Sequence, residues 1–254
     1  MAQTLKSSGA SWEIFETRDE LDQAAVRIFF RIGGEAILKT GHYRVLLSGG
    51  KTPEGVYRRL GATLKPEMSW EKVDLFLGDE RPVPPDHPES NSRMIRNCLL
   101  DQFKEAAPQF YPVKGIEKDP TGSALIYEKK MASVFQAGER NLPRFDLVFL
   151  GIGEDGHTAS LFPGSAALNE VNRAIVASYI EKIRSYRVTA TFPLINHARE
   201  VIVLATGKNK AQILGALFAG KPDPVWPISQ VRPVSGNFRF LLTREAASEI
   251  HLGK

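Results

Sequence analysis

Short apolar runs rich in β-branched and aromatic residues alternate along this chain with longer amphipathic stretches, from one end to the other. That rhythm constrains the fold more than any other feature, because strands punctuated by helices build βαβ units around a mainly parallel sheet. Strands are expected at Tyr43 to Ser48, Val73 to Leu77, Phe145 to Leu150, Arg187 to Phe192, Val201 to Ala205 and Phe238 to Thr243. Most of these runs carry too little polar alternation for a face in water, so they read as central strands buried on both sides. Helices are expected near Asp19 to Leu38, Glu54 to Leu60, Ser90 to Phe103, Thr121 to Phe135 and Lys208 to Phe218. Prolines cluster at Pro82 to Pro88 and Pro222 to Pro233, where short lengths and core-like flanks predict ordered loops instead of domain boundaries. With no internal repeat, residues 1–254 are expected to form a single α/β domain.

Composition narrows the classes further. The 254 residues include 43% hydrophobic and 24% charged types, as in an ordinary globular protein, and 21 Gly with 16 Pro are too few for a collagenous or low-complexity chain. Cys98 is the only cysteine, so neither an intramolecular disulfide nor an all-cysteine metal cage can form, and a reducing compartment fits best. Glu13, Glu16 and Arg18 precede any apolar core of signal-peptide length, and no uncharged apolar window approaches a membrane span. The expectation is a cytoplasmic chain, mature as written, without a membrane partner. The net charge of +4 is spread among interleaved acids and bases, so no nucleic-acid partner is expected, and placed cations for a phosphorylated metabolite account for the excess equally well.

Three loops directly follow apolar strands, the position where open α/β sheets bind ligands. In Ser48-Gly49-Gly50-Lys51-Thr52-Pro53 the glycines let backbone approach a ligand, two hydroxyls are on offer, and Pro53 can open a helix whose N-terminus favours an anion. The loop reads as a phosphate cradle or as a tight turn; it is no Walker A motif, because Val45 stands where that motif needs glycine. Gly78-Asp79-Glu80-Arg81-Pro82 can present a carboxylate and a guanidinium to a small polar substrate, or form a solvated charge cluster. Gly151 to Gly156 matches G-x-G-x-x-G, yet Pro163 and Gly164 interrupt before a dinucleotide-binding helix can follow. The glycines there are expected to bring Asp155 and His157 to the sheet edge, with Asp155 capping a short helix that begins near His157 and whose dipole favours a neutral imidazole able to act as general base. The competing reading is a buried histidine bonded to backbone. Arg187, expected to start its strand, and Lys210, in a strand-to-helix turn, are positioned to complete an anion site or to be surface cations.

Together LSGGKTP at 47–53, GDERPVPPDHPESN at 78–91, LGIGEDGHTASLFPG at 150–164, RVTATFPLIN at 187–196 and GKNKA at 207–211 make the chain resemble the 6-phosphogluconolactonase family, within the group that includes glucosamine-6-phosphate deaminase. The resemblance implies a Rossmann-like, NagB/RpiA-like open sheet with helices on both faces. It also implies hydrolysis of 6-phospho-D-glucono-1,5-lactone to 6-phosphogluconate, the second step of the oxidative pentose phosphate pathway, without a cofactor or metal. By position it makes His157 the base that activates water, with Asp155 beside it and Asp79 at an acidic position shared with the deaminase branch. Gly49, Gly50, Lys51, Thr52, Arg81, Arg187 and Lys210 would surround the phosphate or sugar ring, with Ser48 opening that loop. The deaminase branch places a glutamate five residues after the motif histidine; here that residue is Phe162, which favours the lactonase reading over a deaminase or isomerase. A monomer or weak homodimer is expected.

Overall fold

Runs that are apolar on both faces need cover on both faces, and the chain provides it. The structure, a computed structural model, describes residues 3–63, 68–138 and 141–251. In chain order the elements are β1 (Gln3–Ser7), β2 (Ala10–Phe15), α1 (Arg18–Thr40), β3 (Tyr43–Leu47), α2 (Lys51–Thr63), β4 (Val73–Leu77), β5 (Asp79–Glu80), α3 (Asn91–Cys98), β6 (Gln109–Tyr111), α4 (Pro120–Phe135), β7 (Leu147–Gly151), β8 (Ile175–Ile180), β9 (Ser185–Ala190), α5 (Phe192–Asn196), β10 (Glu200–Ala205), α6 (Ala211–Phe218) and β11 (Asn237–Thr243).

Eight strands form one sheet in the order β1-β2-β11-β10-β7-β3-β4-β6, parallel throughout except for the β1–β2 hairpin. Alternate residues serve opposite cores. Val45, Leu47, Leu75, Leu77, Phe149 and Leu204 face α1, α2 and α3, while Leu46, Phe76, Val148, Leu150 and Val203 face α4, α5 and α6. The expected helices on both faces are thus present. Their ends follow local chemistry: Thr17, Ser90 and Asp119 accept from backbone amides at the starts of α1, α3 and α4, and Gly41 closes α1 at φ 78°.

Strand order reverses between β3 and β7, which pair through Val45–Leu147 and Leu46–Val148. A crevice therefore opens at their carboxyl ends, since the segments leaving β3 and β7 continue into opposite halves of the sheet.

Two features depart from expectation. The segment expected as a central strand at 187–192 is β9, which lies in a separate antiparallel sheet, β5-β9-β8. Only its second half is buried, and a hairpin with β8, closed by Arg184 in the left-handed region at φ 47°, supplies the pairing that a parallel neighbour would have provided. The N-terminal hairpin was not expected because β1 is largely exposed and has no apolar run; its turn relies on Ser8 and Gly9, both at positive φ.

Candidate active site

The β3–β7 crevice holds a cleft of about 190 Å³ lined by Ser48 to Pro53, Asp79, Arg81, Gly151, Ile152, His157, Ala159, Leu204 to Thr206 and Lys210. All three loops singled out in the sequence meet here. The volume lies below the roughly 300–1,000 Å³ of pockets for drug-sized ligands and suits a small polar metabolite.

The floor is the loop after β3. Gly50 adopts φ 100°, closed to L side chains, and a Cβ on Gly49 would overlap the side chain of Asn91 on α3. The buried Tyr57 hydroxyl accepts from the Ser48 amide at 3.0 Å and donates to the Ser48 carbonyl at 3.0 Å, clasping the loop to α2. Helix α2 starts at Lys51, two residues before the proline expected to open it, so Pro53 lies in its first turn. The first helical amides have no intrahelical acceptor and, with the helix dipole, favour an anion. Arg18 donates to the carbonyls of Lys51 and Thr52 at 2.9 and 2.6 Å, and the Thr52 and Thr206 hydroxyls lie 2.9 Å apart. The Lys51 side chain is exposed at the rim.

Asp79, Glu80 and Arg81 diverge completely, so neither sequence reading covers all three. Glu80 turns inward, accepting from the amides of Arg81, Asn91 and Ser92 at 2.8–2.9 Å and from the hydroxyls of Ser92 and Ser90 at 2.8 and 3.3 Å. It caps α3 and has no part in the cleft lining. Asp79 does line the cleft, with Oδ2 accepting from the Ser160 hydroxyl at 2.6 Å and Oδ1 from Asn91 Nδ2 at 3.3 Å. Arg81 donates through Nη1 to the Glu89 carbonyl, while its buried Nε has no partner among the described residues.

The loop after β7 contains one correction. No helix begins near His157: residues 154–156 form a turn, Gly153 donates to the His157 carbonyl at 2.8 Å, and Thr158 bridges to Leu161. A helix dipole therefore plays no part at this imidazole. Asp155 orients it instead, its Oδ1 lying 2.6 Å from Nδ1 and accepting from the His157 amide at 3.2 Å. Burial pushes the Asp155 carboxyl up, but hydrogen bonds from Lys182 and His157 outweigh it and hold the group well below the usual carboxylate range. An ionised carboxylate only accepts, so Nδ1 carries the hydrogen between them, and Nε2 is the nitrogen turned away from Asp155. Phe162 stacks on the other side, with ring centroids 4.1 Å apart and planes 18° from parallel. Gly153 leaves the room: a Cβ there would overlap Nδ1 of His157.

Lys210 points into the cleft with 15% of its side chain exposed, and burial pushes its ammonium pKa down. Two sequence candidates fall outside the cleft lining: Asp155, which meets it through His157, and Arg187. Arg187 is the third residue of β9 and donates to its own hairpin through the Tyr186 carbonyl at 2.8 Å and the Ser185 hydroxyl at 3.0 Å. Burial, then the neighbouring Arg81 charge, lowers its pKa. Sequence reasoning overlooked Thr206, Ser160, Asn91 and Lys182. Ser160 and Asn91 stand within segments that it did single out, Thr206 directly precedes the GKNKA turn, and Lys182 lies in a turn without a motif. Among the described residues no group of three His, Cys, Asp or Glu side chains could hold a metal, and no helix is long and apolar enough to cross a membrane.

The sequence and the fold have known relatives. Residues 16–240 match the family model for glucosamine-6-phosphate isomerases/6-phosphogluconolactonase. A 6-phosphogluconolactonase of Synechocystis is 39% identical over 231 residues, covering 91% of this chain and 93% of that protein. One from Mycobacterium tuberculosis is 35% identical, covering 95% and 98%. The solved structure of 6-phosphogluconolactonase from Trypanosoma cruzi superposes with a TM-score of 0.84 at 33% identity over 98% of this chain and all of the other. With the strand order, the three strand-end loops and the sequence match in agreement, the chain belongs to the glucosamine-6-phosphate isomerase/6-phosphogluconolactonase family.

Proposed function

We propose that this protein hydrolyses 6-phospho-D-glucono-1,5-lactone to 6-phospho-D-gluconate, with His157 as general base. The observation that carries the reading is the His157 imidazole, tied through Nδ1 to an ionised Asp155, in the same cleft as the glycine loop at the start of α2. The substrate's phosphoryl group sits against the α2 amides with Lys51, Lys210 and Arg81 around it, and that binding orients the lactone carbonyl. Nε2 takes a proton from water as the oxygen attacks C1. The tetrahedral oxyanion collapses, the ring C–O bond breaks, and the imidazolium returns the proton to the departing ring oxygen. Arg81, whose Nε has no partner among the described residues, or a loop amide donates to the oxyanion.

The names of the relatives support the substrate, and Phe162 supports the branch. A deaminase needs acid–base groups for ring opening and isomerisation, and a phenyl ring flat on the base supplies none. The reading extends to a cytoplasmic enzyme acting as one α/β domain, monomeric or weakly dimeric. Its sole partner is the sugar-phosphate lactone. The test is consumption of freshly generated lactone coupled to 6-phosphogluconate dehydrogenase, with spontaneous hydrolysis subtracted. Lactone turnover without ammonia release from glucosamine 6-phosphate supports the proposal; the reverse pattern overturns it.

A further inference from the structure

Asp155 is gripped from two sides by groups far apart in sequence. Its Oδ1 faces His157 Nδ1 at 2.6 Å, and its Oδ2 accepts from Lys182 Nζ at 2.6 Å. Lys182 stands at the tip of the β8–β9 hairpin, in the 3-10 turn Glu181–Ile183. The base of that hairpin is fastened beside the cleft, because β9 pairs with β5 through Asp79–Thr189 and Ala190 donates to the Gly78 carbonyl at 2.7 Å. The small sheet thus spans from the Asp79 side of the site to the Asp155 side. Its position is not set by a packed tip: Lys182, Ile183 and Arg184 are all exposed.

We propose that Lys182 is a positioning residue for the catalytic imidazole, acting through Asp155 to hold the ring in place and to partly neutralise the carboxylate behind it. This rests on the reading of His157 as the base. Lys182 is outside the cleft lining and touches no substrate, so it acts on turnover and not on affinity. The other charges around the pair are accounted for. Glu154 points outward to Asn209 and Lys210, and among the described residues Lys210 is a further cation whose field reaches Asp155. Without Lys182 the carboxylate opposite Nδ1 carries its full charge, which favours the imidazolium and holds the base out of action to higher pH.

The expected result for Lys182→Ala is a kcat about three- to tenfold lower, an unchanged KM, and an acid limb of the kcat/KM profile moved upward by roughly half a pH unit, the scale of an exposed ion pair. Lys182→Arg restores both, and about 1 M salt moves the wild-type limb the same way by screening the pair. The titration of the His157 ring, followed by NMR in wild type and Lys182→Ala, reads the same shift without substrate. A shifted NMR midpoint supports the proposal whether or not the lactone proves to be the substrate. An unmoved midpoint overturns it, including when activity falls, because a merely structural lysine would lower kcat without moving the titration.

Discussion

Phe162 lies flat against the His157 imidazole, centroids 4.1 Å apart, so the ring is fixed by stacking on its face and by Asp155 at its edge. These two restraints differ in chemistry and separate experimentally. His157→Ala is expected to lower kcat by on the order of 10² or more, as loss of a general base does. Phe162→Ala removes only stacking worth about 1 kcal/mol, so a fall of roughly five- to tenfold is expected, without a change in the pH profile. Steady-state kinetics with fresh lactone decides both; near-wild-type turnover of His157→Ala would remove the histidine from its role.

Asp155 contributes charge as well as orientation. Its carboxyl is held below the ordinary value by hydrogen bonds that overcome burial, so its stabilising contribution is present above its unfolded pKa of about 4 and is lost as pH falls through the lower folded value. Asp155→Asn should therefore melt below wild type near neutral pH, and the gap should close as the medium is acidified past about pH 4. Activity should fall at every pH, because the amide can donate to Nδ1 and leave the hydrogen on the wrong nitrogen. Thermal melts across pH test the first statement and kcat the second; a constant stability gap would contradict the linkage.

Two of the cations linked to phosphate in the sequence part company in the structure. Lys51 lines the cleft at the start of α2, whereas Arg187 donates to its own hairpin outside it. Lys51→Ala is expected to raise KM about tenfold with kcat little changed, the signature of binding lost equally from ground and transition states. Arg187→Ala should change KM less than about threefold. Equal effects in the two variants, measured as KM for the lactone, would place Arg187 at the phosphate after all.

What was legible in the sequence follows from which interactions are local. The parallel sheet showed itself because a strand covered on both faces must be apolar throughout, as Val73 to Leu77 is. The β1 strand and the β8–β9 sheet did not, since half-exposed hairpins carry a diluted pattern and Arg187 to Ala190 resembles a core strand when its partner is unknown. The three loops were legible as a set because each follows a strand end. Their internal geometry was not: Asp155 and His157 are two residues apart, a spacing that fits a helix cap and the observed turn equally. The choice depends on Phe162 stacking on His157 and on Trp226 packing against Gly156. Glu80 looked like one of three surface charges, and only the folded position of α3, eleven residues on, makes it a buried cap. Lys182 meets Asp155 across 27 residues and has no local signature at all.

Gly153 offers a test of how tightly the turn that carries Asp155 and His157 is built. Its missing side chain is filled by the Nδ1 edge of His157 and by Asp155 Oδ1, so a methyl group there must push the dyad apart. The backbone at Gly153 is not in the left-handed region, unlike Gly156 at φ 76°, so Gly153→Ala carries a steric cost without a conformational one. The displaced groups are partly exposed side chains on a turn, with 32% of the His157 side chain and 22% of the Asp155 side chain accessible, so they can swing outward while the core stays packed. Gly153→Ala is therefore expected to keep its melting temperature within about 4 °C of wild type, a change of under 1 kcal/mol, while losing kcat about 10²-fold through misplacement of the base. Gly156→Ala, at positive φ and against Trp226, should instead lose stability along with activity. Melting and kcat measured on both variants separate the cases, and a fully active Gly153→Ala would show that the His157–Asp155 geometry is not what limits turnover.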